Sequence, residues 1–292
     1  MTWQDQRKAE ERLRRAIEAY HEAALLYAAV KLGLAGRMGA RRWTVEELAA
    51  ALGLSPPHLA RFLRGLYIIG LTEERADGMF ALTPFGQSLT QDSPLAAKVQ
   101  IVVEQYWQPW ANLAATLQDG TPSFEQVFGT NVFDWRRAHP EQGAMFASYL
   151  AKATQVDSGV ILAALGASET DMVVEVDAAS AAFLAESPPH ADLYLLNGVL
   201  QNYDDEDART ILKNCRAAMQ GSARLAIVER LMPERAAADP AAVMLDLHMM
   251  TITGGRARTR AEFEGLLANA GLAFWKMTPI SSGLSIMEAS PQ

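Results

Sequence analysis

The sequence has almost no cysteine, since Cys215 is the only one among 292 residues. A single thiol cannot form an intrachain disulfide, and nothing in the composition therefore implies secretion. No run of ~18 consecutive apolar residues is present, which argues against a membrane-spanning helix. The charged N-terminal stretch is not followed by the apolar run of a signal peptide. A cytoplasmic protein is the resulting expectation.

Basic charge is also scarce. The formal net charge is −8, whereas nucleic-acid-binding proteins usually carry a basic surface. The five histidines and the single cysteine show no metal-ligand spacing, so we expect no metal site. The length predicts about two domains, at ~100–200 residues per domain.

The N-terminal part has helical periodicity. Apolar positions spaced by three and four predict one long helix over residues 5–30. Thr44 and Glu47 have the spacing of a capping box, which predicts a helix over 45–52. Ser55 is placed to cap a further helix over 56–69.

Two short strands are predicted next, over 71–74 and 79–83. Two helices followed by a two-stranded wing form a winged-helix pattern. Such a module can bind DNA, or it can serve dimerisation or packing. Basic and acidic residues nearly balance over 1–90, and the second helix offers little beyond Arg61 and Arg64. DNA binding is the weaker interpretation, because phosphate contacts dominate such affinity.

The pattern changes after residue 170. Before it, residues 94–165 are helical with interspersed aromatics. Beyond it, apolar β-branched runs alternate with helical segments over 204–219, 240–253 and 259–271. This alternation predicts a doubly wound α/β sheet, with strands at 172–176, 192–196, 223–229, 272–278 and 284–289.

Several stretches carry a family resemblance. The chain resembles the S-adenosylmethionine (SAM)-dependent O-methyltransferases of plant phenolic and bacterial polyketide pathways. The stretches are Phe133-Asp-Trp with His139-Pro-Glu, Asp192-Leu-Tyr-Leu-Leu and Val199-Leu with Asp204-Asp-Glu-Asp-Ala, Leu225-Ala-Ile-Val-Glu-Arg, and Asp246-Leu, Met249, Gly254-Gly-Arg, Arg258-Thr and Glu262-Phe.

The resemblance implies the domain organisation. It implies a mainly α winged-helix dimerisation domain over 1–95, central helices lining an acceptor pocket over 96–168, and an α/β Rossmann-like domain over 169–292. The winged helix then serves a homodimer rather than DNA.

The resemblance also indicates what has been lost. The family's first strand is followed by a glycine-rich turn, where backbone approaches SAM, but here Asp177-Ala-Ala-Ser-Ala181 contains no glycine. Only residues 177–191 precede the next strand, and a crossover needs at least ~10–12 residues, so one crossover fits and three do not. About two βα units are therefore missing. We expect a truncated sheet of about five strands in the order 1-4-5-7-6, taken from the family's 3-2-1-4-5-7-6.

The first strand becomes a new edge, which we expect the central helices or a partner to cover. The catalytic groups change as well. The family's His-Asp pair, whose His is the general base, aligns with Gln201-Asn202, and the Glu that orients this base aligns with Ala257. Glu229, which aligns with another acidic residue of the family's site, is retained.

These losses predict a protein without SAM or any other cofactor. One interpretation is a SAM-independent cyclase, isomerase, pericyclase or dehydratase that acts on a polycyclic or polyketide-like small molecule in the old acceptor pocket. Another is a non-catalytic partner of an active methyltransferase, and a third is residual SAM-dependent methyl transfer. The candidate catalytic residues are His248, Gln201 and Asn202, and the candidate substrate-binding residues are Trp107, Phe146, Tyr149, Asn197, Met249 and Ile252.

Overall fold

The computed structural model of the chain describes residues 3–168, 171–176, 188–280 and 283–292. The chain forms two compact units, Met1–Trp107 and Gln108–Gln292. The division at residues 95 and 168 that the family resemblance implies stays a prediction. No helix in these described ranges combines the length and the apolar character needed to cross a bilayer.

The N-terminal unit begins with two helices rather than the single helix predicted over 5–30. Helix α1 covers Trp3–Glu18 and α2 covers Tyr20–Lys31. Ala19 keeps right-handed helical angles, with φ −57° and ψ −24°. Only the backbone hydrogen bonding of the helix is interrupted at Ala19. The spacing of apolar residues does not report backbone hydrogen bonds, so the sequence did not predict the break.

The predicted helix–turn–helix is present. After α3 (Leu34–Met38), helix α4 covers Val45–Leu52 and α5 covers Pro56–Ile68. The capping box is confirmed, because Glu47 N–H donates to Thr44 Oγ1 at 3.2 Å and Thr44 N–H donates to Glu47 Oε2 at 3.3 Å.

Ser55 occupies the position before α5, but its side chain makes no capping bond, so that expectation was wrong. The first two residues of α5 are prolines, Pro56 and Pro57, and neither has an N–H to donate.

The wing consists of β1 (Thr72–Glu74) and β2 (Phe80–Leu82), which pair antiparallel with Thr72 opposite Leu82. The turn between them contains Gly78, whose φ of 78° lies in the left-handed region that favours glycine. Buried leucines from α4 and α5 form the core beneath it: Leu48, Leu59, Leu63 and Leu66.

In sequence, short helices and one long helix follow the wing and precede the first strand of the sheet. The long helix is α12, Pro140–Leu165. The others are α6 (Pro84–Gln87), α7 (Pro94–Ile101), a π-helical segment (Val102–Tyr106), α8 (Trp107–Ala111), α9 (Leu113–Asp119), α10 (Ser123–Phe128) and α11 (Val132–Ala138).

The C-terminal unit contains a mixed sheet. Its strands are β3 (Val173–Val176), β4 (Leu193–Asn197), β5 (Arg224–Glu229), β6 (Leu272–Pro279) and β7 (Ser285–Pro291). In the described part of the chain the order is β3-β4-β5-β7-β6, which is the five-strand order that the family resemblance implied. β3, β4 and β5 are parallel, and β7 is antiparallel to both β5 and β6.

Among the described residues, three longer helices follow β4 along the chain, at the positions that the sequence predicted to within about two residues. They are α13 (Asp205–Ala218), α14 (Pro240–Ile252) and α15 (Arg260–Asn269). The second predicted capping box is also confirmed, since Thr259 Oγ1 accepts from Glu262 N–H and Thr259 N–H donates to Glu262 Oε2.

Both faces of the central strands are buried. Tyr194 and Leu196 of β4 belong to one hydrophobic cluster, whereas Leu193 and Leu195 belong to another. Successive side chains of a strand point to opposite faces, so each cluster covers one face of the sheet. This explains why β4 is a continuous apolar run in the sequence.

The strand β3 is at the edge of the described sheet and pairs with β4. Met172 and Val173 are 62% and 37% exposed at this edge. Cover by the central helices or by a partner stays a prediction.

Candidate functional site

The carboxyl ends of β4 and β5 define the candidate site. In parallel neighbours these ends meet at one edge of the sheet, where α/β proteins usually bind their ligands. β4 ends at Asn197, which is half-buried, and Gly198 follows with φ of 65°. A 3₁₀ turn over Leu200–Asn202 comes next. β5 ends at Glu229.

Asn202 holds this turn together. Its Nδ2 donates to Gly198 O at 2.8 Å and to Val199 O at 3.1 Å. A side-chain amide has two N–H bonds, and these contacts use both of them. Asn202, a candidate catalytic residue, therefore retains only an acceptor oxygen for a ligand.

Gln201 connects the turn to the neighbouring strand. Its backbone N–H donates to Glu229 Oε1 at 2.9 Å. Its side chain lies over Gly198, where a Cβ atom would stand 3.4 Å from Gln201 Nε2. The side-chain amide is the neutral donor group that Gln201 keeps at this edge.

Glu229 is buried, with 1% of its surface exposed. Desolvation raises the pKa of this carboxyl group to about 7, although the N–H groups of Gln201 and Leu200 and the charge of Arg258 act in the opposite direction. Within the described residues Glu229 Oε2 has no hydrogen-bond partner. A carboxyl group in this state can give or take a proton near neutral pH.

Arg258 supports the turn from the other side, and it is completely buried. Its Nη1 donates to Leu200 O at 2.8 Å, its Nη2 donates to Tyr203 O at 2.9 Å, and its Nε donates to Asp205 Oδ1 at 2.8 Å. One guanidinium thus fixes both ends of the turn and the start of α13.

Gly255 packs against the same turn. A Cβ atom on Gly255 would lie 2.1 Å from Gln201 O and 2.4 Å from Asn202 C. No side chain fits at residue 255, because the backbone of the Gly254-Gly255 segment lies very close to the backbone of the 3₁₀ turn. The next position but one, Ala257, is buried and donates its N–H to Asp246 Oδ1 at 2.8 Å.

Sequence reasoning left Glu229, Arg258 and Gly255 out of the candidate residues. A signal was available for Glu229, since an acidic residue that ends an apolar strand at the carboxyl edge commonly has a function. Gly255 and Arg258 lie in stretches that carry the family resemblance, but the contacts of Arg258 could not be read from them, because its carbonyl partners lie 55 and 58 residues away in sequence.

The helix α14 packs against the 3₁₀ turn and carries three candidate residues. Met249 and Ile252 are buried. His248 is half-buried, and its Nδ1 accepts a hydrogen bond from Trp110 Nε1 at 3.1 Å, with the rings stacked at 18°. Indole N–H is only a donor, so this bond places the proton of neutral His248 on Nε2.

The remaining candidates are aromatic. Phe146 and Tyr149 lie half-buried on α12, and the Arg136 guanidinium carbon stands 3.4 Å from the Phe146 ring centroid. Trp107 belongs to the N-terminal unit, where Tyr20 makes an edge contact with it at 6.4 Å.

The glycine-free stretch Asp177–Ala181 lies outside the described residues. Within those residues, no group of three or more His, Cys, Asp or Glu side chains is arranged to hold a metal ion.

Comparison with known proteins identifies the family. Residues 160–273 match the profile of the O-methyltransferase domain. The chain is 31% identical to the phenazine O-methyltransferase PhzM of Lysobacter antibioticus, with 94% of each chain covered. It is 29% identical to the O-demethylpuromycin-O-methyltransferase of Streptomyces alboniger, over 97% of this chain and 89% of that one. The chain therefore belongs to the O-methyltransferase family, and the resemblance inferred from the sequence is confirmed.

Solved structures agree on the fold. The crystal structure of LaPhzM superposes with a TM-score of 0.87 at 30% identity, covering 97% of this chain and 99% of that chain. The mitomycin 7-O-methyltransferase MmcR superposes with a TM-score of 0.90 at 23% identity, with both chains fully covered, and it shows a similar fold.

The alignment with the Lysobacter enzyme also contains gaps. It runs over 323 positions and includes 94% of this chain, which has 292 residues. Taking that 94% away from the 323 positions leaves about 49 positions at which the relative has a residue and this chain has none.

Proposed function

We propose that this member of the O-methyltransferase family no longer binds SAM and acts as a cofactor-independent enzyme on a natural-product intermediate. Cyclase, isomerase, pericyclase and dehydratase reactions are the types considered. One observation carries the proposal. β3 ends at Val176 and pairs directly in parallel with β4, which already begins at Leu193.

This short connection bears on the cofactor. A parallel crossover needs at least ~10–12 residues, so the connection has room for one crossover. In the family, as the resemblance implies, two more βα units stand between these strands and supply the ribose acid and part of the adenine pocket. About 49 unmatched positions in the alignment approach the ~60 residues of two such units. The short connection and this number of unmatched positions support the proposal that the residues present do not hold SAM.

The residues at the former base position support the same proposal. Methyl transfer to a phenol needs a group that removes the hydroxyl proton. The amides of Gln201 and Asn202 do not titrate, and Ala257 has no carboxylate to orient a base. Two candidate proton-carrying groups are Glu229 at the end of β5, through its carboxyl group, and His248 on α14, the helix that packs against the 3₁₀ turn, through Nε2–H.

The groups that remain suit chemistry without a methyl donor. The Gln201 amide and His248 Nε2–H can donate hydrogen bonds to a carbonyl or to a developing oxyanion. Glu229 can move a proton near neutral pH. Isomerisation and dehydration require such proton movement and no cofactor. The relatives' names, phenazine and puromycin among them, support a small natural-product substrate.

Loss of SAM binding is tested by calorimetry with SAM and S-adenosylhomocysteine, using the Lysobacter phenazine O-methyltransferase as the positive control. We expect heat of binding from the control and none from this protein up to millimolar ligand. Micromolar binding of either molecule would contradict the proposal and favour residual methyl transfer.

Catalysis is tested by incubating the pure protein with intermediates of its own pathway, in the absence of cofactor. We expect conversion of at least one compound, and Glu229→Gln or His248→Ala should slow it. The control is the protein heated until it unfolds. If no compound is converted and the protein co-purifies with an active methyltransferase, it is a non-catalytic partner instead.

The first helix offers a surface for pairing with another chain. Helix α1 exposes Trp3, Leu13 and Ile17 at 70%, 63% and 65%. A row of apolar side chains on a helix is typical of a surface that another chain covers. We propose that the N-terminal unit mediates a homodimer, and the same surface would serve pairing with a methyltransferase.

A further inference from the structure

An apolar cavity of about 260 Å³ lies within the N-terminal unit, between α2, α6, α7 and the π-helical segment. Of the nine residues that line it, eight are apolar and one is a lysine: Ala23, Leu26, Phe85, Leu89, Leu95, Lys98, Val99, Val102 and Val103. None of these nine belongs to α1, the helix whose exposed apolar side chains offer a surface for pairing with another chain.

The cavity extends from the core of the unit to its surface. Leu89 is buried, and Leu26 and Val99 pack against the hydrophobic core. At the outer end Phe85 and Leu95 are 51% and 48% exposed. Contiguous apolar surface of this kind commonly marks a binding site. A closed apolar end and an open outer end suit a long apolar molecule that enters end first.

The helix that forms one wall changes its type at the cavity. Leu95, Val99 and Val102 recur at spacings of four and three, which places them on one face. The α-helical hydrogen bonding of α7 ends at Ile101, and the π-helical segment begins at Val102. Short π-helical segments are rare and occur frequently at functional sites. The wall therefore has a second feature, besides its apolar surface, that is typical of a binding site.

Lys98 supplies the charge of the lining. It lines the cavity although the residue is exposed, so its apolar stem belongs to the wall and its ammonium group to the outer end. Among the described residues that line the cavity there is no carboxylate, and the sequence of α7 contains no acidic residue. The ammonium group can therefore attract an anion at the entrance of the cavity.

The volume limits the size of the ligand. An engineered cavity of about 150 Å³ holds benzene, which has six carbon atoms. On the same scale about 260 Å³ corresponds to roughly ten non-hydrogen atoms. A straight chain of eight carbons that ends in a carboxylate has this size. A bilayer lipid, which has two longer acyl chains, exceeds it.

We propose that this cavity binds a free medium-chain fatty carboxylate, with the alkyl chain in the apolar interior and the carboxylate on the Lys98 ammonium group. The net charge of −8 disfavours anions over the surface as a whole, so retention of an anion here requires a local cation. The proposal goes beyond the proposed function, because the candidate site belongs to the C-terminal unit.

The test compares three amphiphiles by calorimetry on the full chain at pH 7 and low ionic strength. Octanoate should bind about 15-fold more tightly than hexanoate, because each buried CH₂ group adds about fourfold. It should bind at least about threefold more tightly than octylammonium, which has the same chain and the opposite charge. No binding of octanoate at millimolar concentration, no dependence on chain length, or equal affinity for octylammonium would overturn the proposal.

A charge variant assigns the preference for the anion to one residue. Lys98→Gln should bind octanoate and octylammonium with nearly equal affinity, because the local cation is gone. Lys8→Gln on α1 makes the same change of charge away from the cavity and is expected to keep the preference of the parent. An equal loss of preference in both variants would show a general charge effect and contradict the site.

A cavity-filling variant assigns the alkyl chain to the interior. Ala23→Leu places three more carbon atoms in the cavity from α2 and should weaken octanoate at least about tenfold. The control is Ala24→Leu, because the neighbouring residue is exposed and does not line the cavity. Thermal unfolding verifies that both variants fold, and the surface change Lys98→Gln keeps the proposal testable if Ala23→Leu does not. Unchanged affinity in folded Ala23→Leu would contradict the proposal.

A second copy of the chain is the competing occupant of an exposed apolar cavity. We expect the same octanoate affinity when the protein concentration is raised tenfold. An affinity that falls as sedimentation shows self-association would mean that another copy covers the cavity, and the proposal would be wrong. None of these measurements involves SAM or turnover, so the site and the proposed function can fail independently.

Discussion

The edge strand β3 and the inner strand β5 of the sheet differ in length, burial and pairing. β3 has four residues, and Val173 and the preceding Met172 are exposed. β5 has six residues, of which all but Arg224 are buried, and it pairs with both β4 and β7. The turn beyond β4 is contacted by Glu229 at the end of β5 and by Gly255 and Arg258, which lie between α14 and α15.

This difference shows which part of an α/β sheet tolerates change. A strand at the edge of a sheet pairs with only one neighbour. The inner strands therefore keep their pairing when the βα units at that edge are absent. The inner strands hold one another's loops in place through close backbone contacts and buried charge. We expect substitutions to be costly on the inner side and mild at β3.

The largest effect is expected for Gly255→Ala. The new Cβ would lie 2.1 Å from Gln201 O, and a backbone atom cannot move away by a change of rotamer. We expect a loss of at least about 3 kcal/mol in the free energy of unfolding, measured with denaturant. The matched control is Gly265→Ala in α15, where a Cβ meets no atom within 4 Å. It should gain about 0.5–1 kcal/mol, as alanine does in a helix. Equal outcomes would contradict the close approach.

Arg258→Met should cost about 3 kcal/mol, because it leaves the carbonyls of Leu200 and Tyr203 without their donor. Arg258→Lys keeps the charge but not the fork, and is expected to fall between the parent and Arg258→Met. Amide hydrogen exchange should show faster exchange in the 3₁₀ turn of both variants. A lysine variant as stable as the parent would show that the forked geometry of the guanidinium is not needed for stability.

Glu229→Gln should change how stability depends on pH. Burial raises the pKa of Glu229 from 4.5 to about 7. Between these values the unfolded chain has lost the proton and the folded chain keeps it, so stability falls as pH rises through this window. The loss levels off above pH 7 at about 3 kcal/mol. Glutamine does not ionise and has no such pH dependence. The free energy of unfolding of the variant, relative to the parent, should therefore rise by about 3 kcal/mol between pH 4 and pH 8.

Denaturant unfolding of both proteins at several pH values measures this difference. Asp171→Asn is a suitable control, because hydrogen bonds from Ser168 lower the pKa of Asp171. Its difference from the parent therefore has the opposite sign. Parallel stability curves for parent and Glu229→Gln would contradict the raised pKa.

The smallest effect is expected at β3. Val173→Ala should cost less than about 1 kcal/mol, because the side chain is already partly in water. Val228→Ala makes the same change in β5, where the residue is 1% exposed, and should cost about 2 kcal/mol. Equal losses on thermal unfolding would mean that the edge is covered in solution, as a partner would do.

Local rules explain what the sequence predicted well. The capping boxes at Thr44 and Thr259 involve partners three residues away, so the spacing alone determines them. The apolar runs of β4 and β5 report two buried faces. The order of the sheet followed from the family resemblance together with the short connection after Val176, rather than from any pattern within the strands.

Long-range contacts explain what the sequence did not predict. His248 and Trp110 are 138 residues apart, and the carbonyls that Arg258 reaches belong to distant parts of the chain. The amide of Asn202 was taken for a ligand group because its partners, two carbonyls of its own turn, appear only once the backbone is folded. The missing cap at Ser55 is different: Pro57 has no N–H to donate, and the side chain of Ser55 does not accept the N–H of His58 either.

The short connection between β3 and β4 also affects the order of folding. The entropy cost of bringing two strands together grows with the length of the chain between them, by about 0.6 kcal/mol per doubling. Two further βα units of ~30 residues each would make this connection about five times longer and would add about 1.4 kcal/mol. As it stands, the chain from Val176 to Leu193 is shorter than the chain from Asn197 to Arg224, which joins β4 to β5. Of the two parallel pairs, β3–β4 therefore has the lower entropic cost of closure, although β3 is the more exposed edge strand. Low sequence separation favours early contact, so this pair is expected to form before β4–β5.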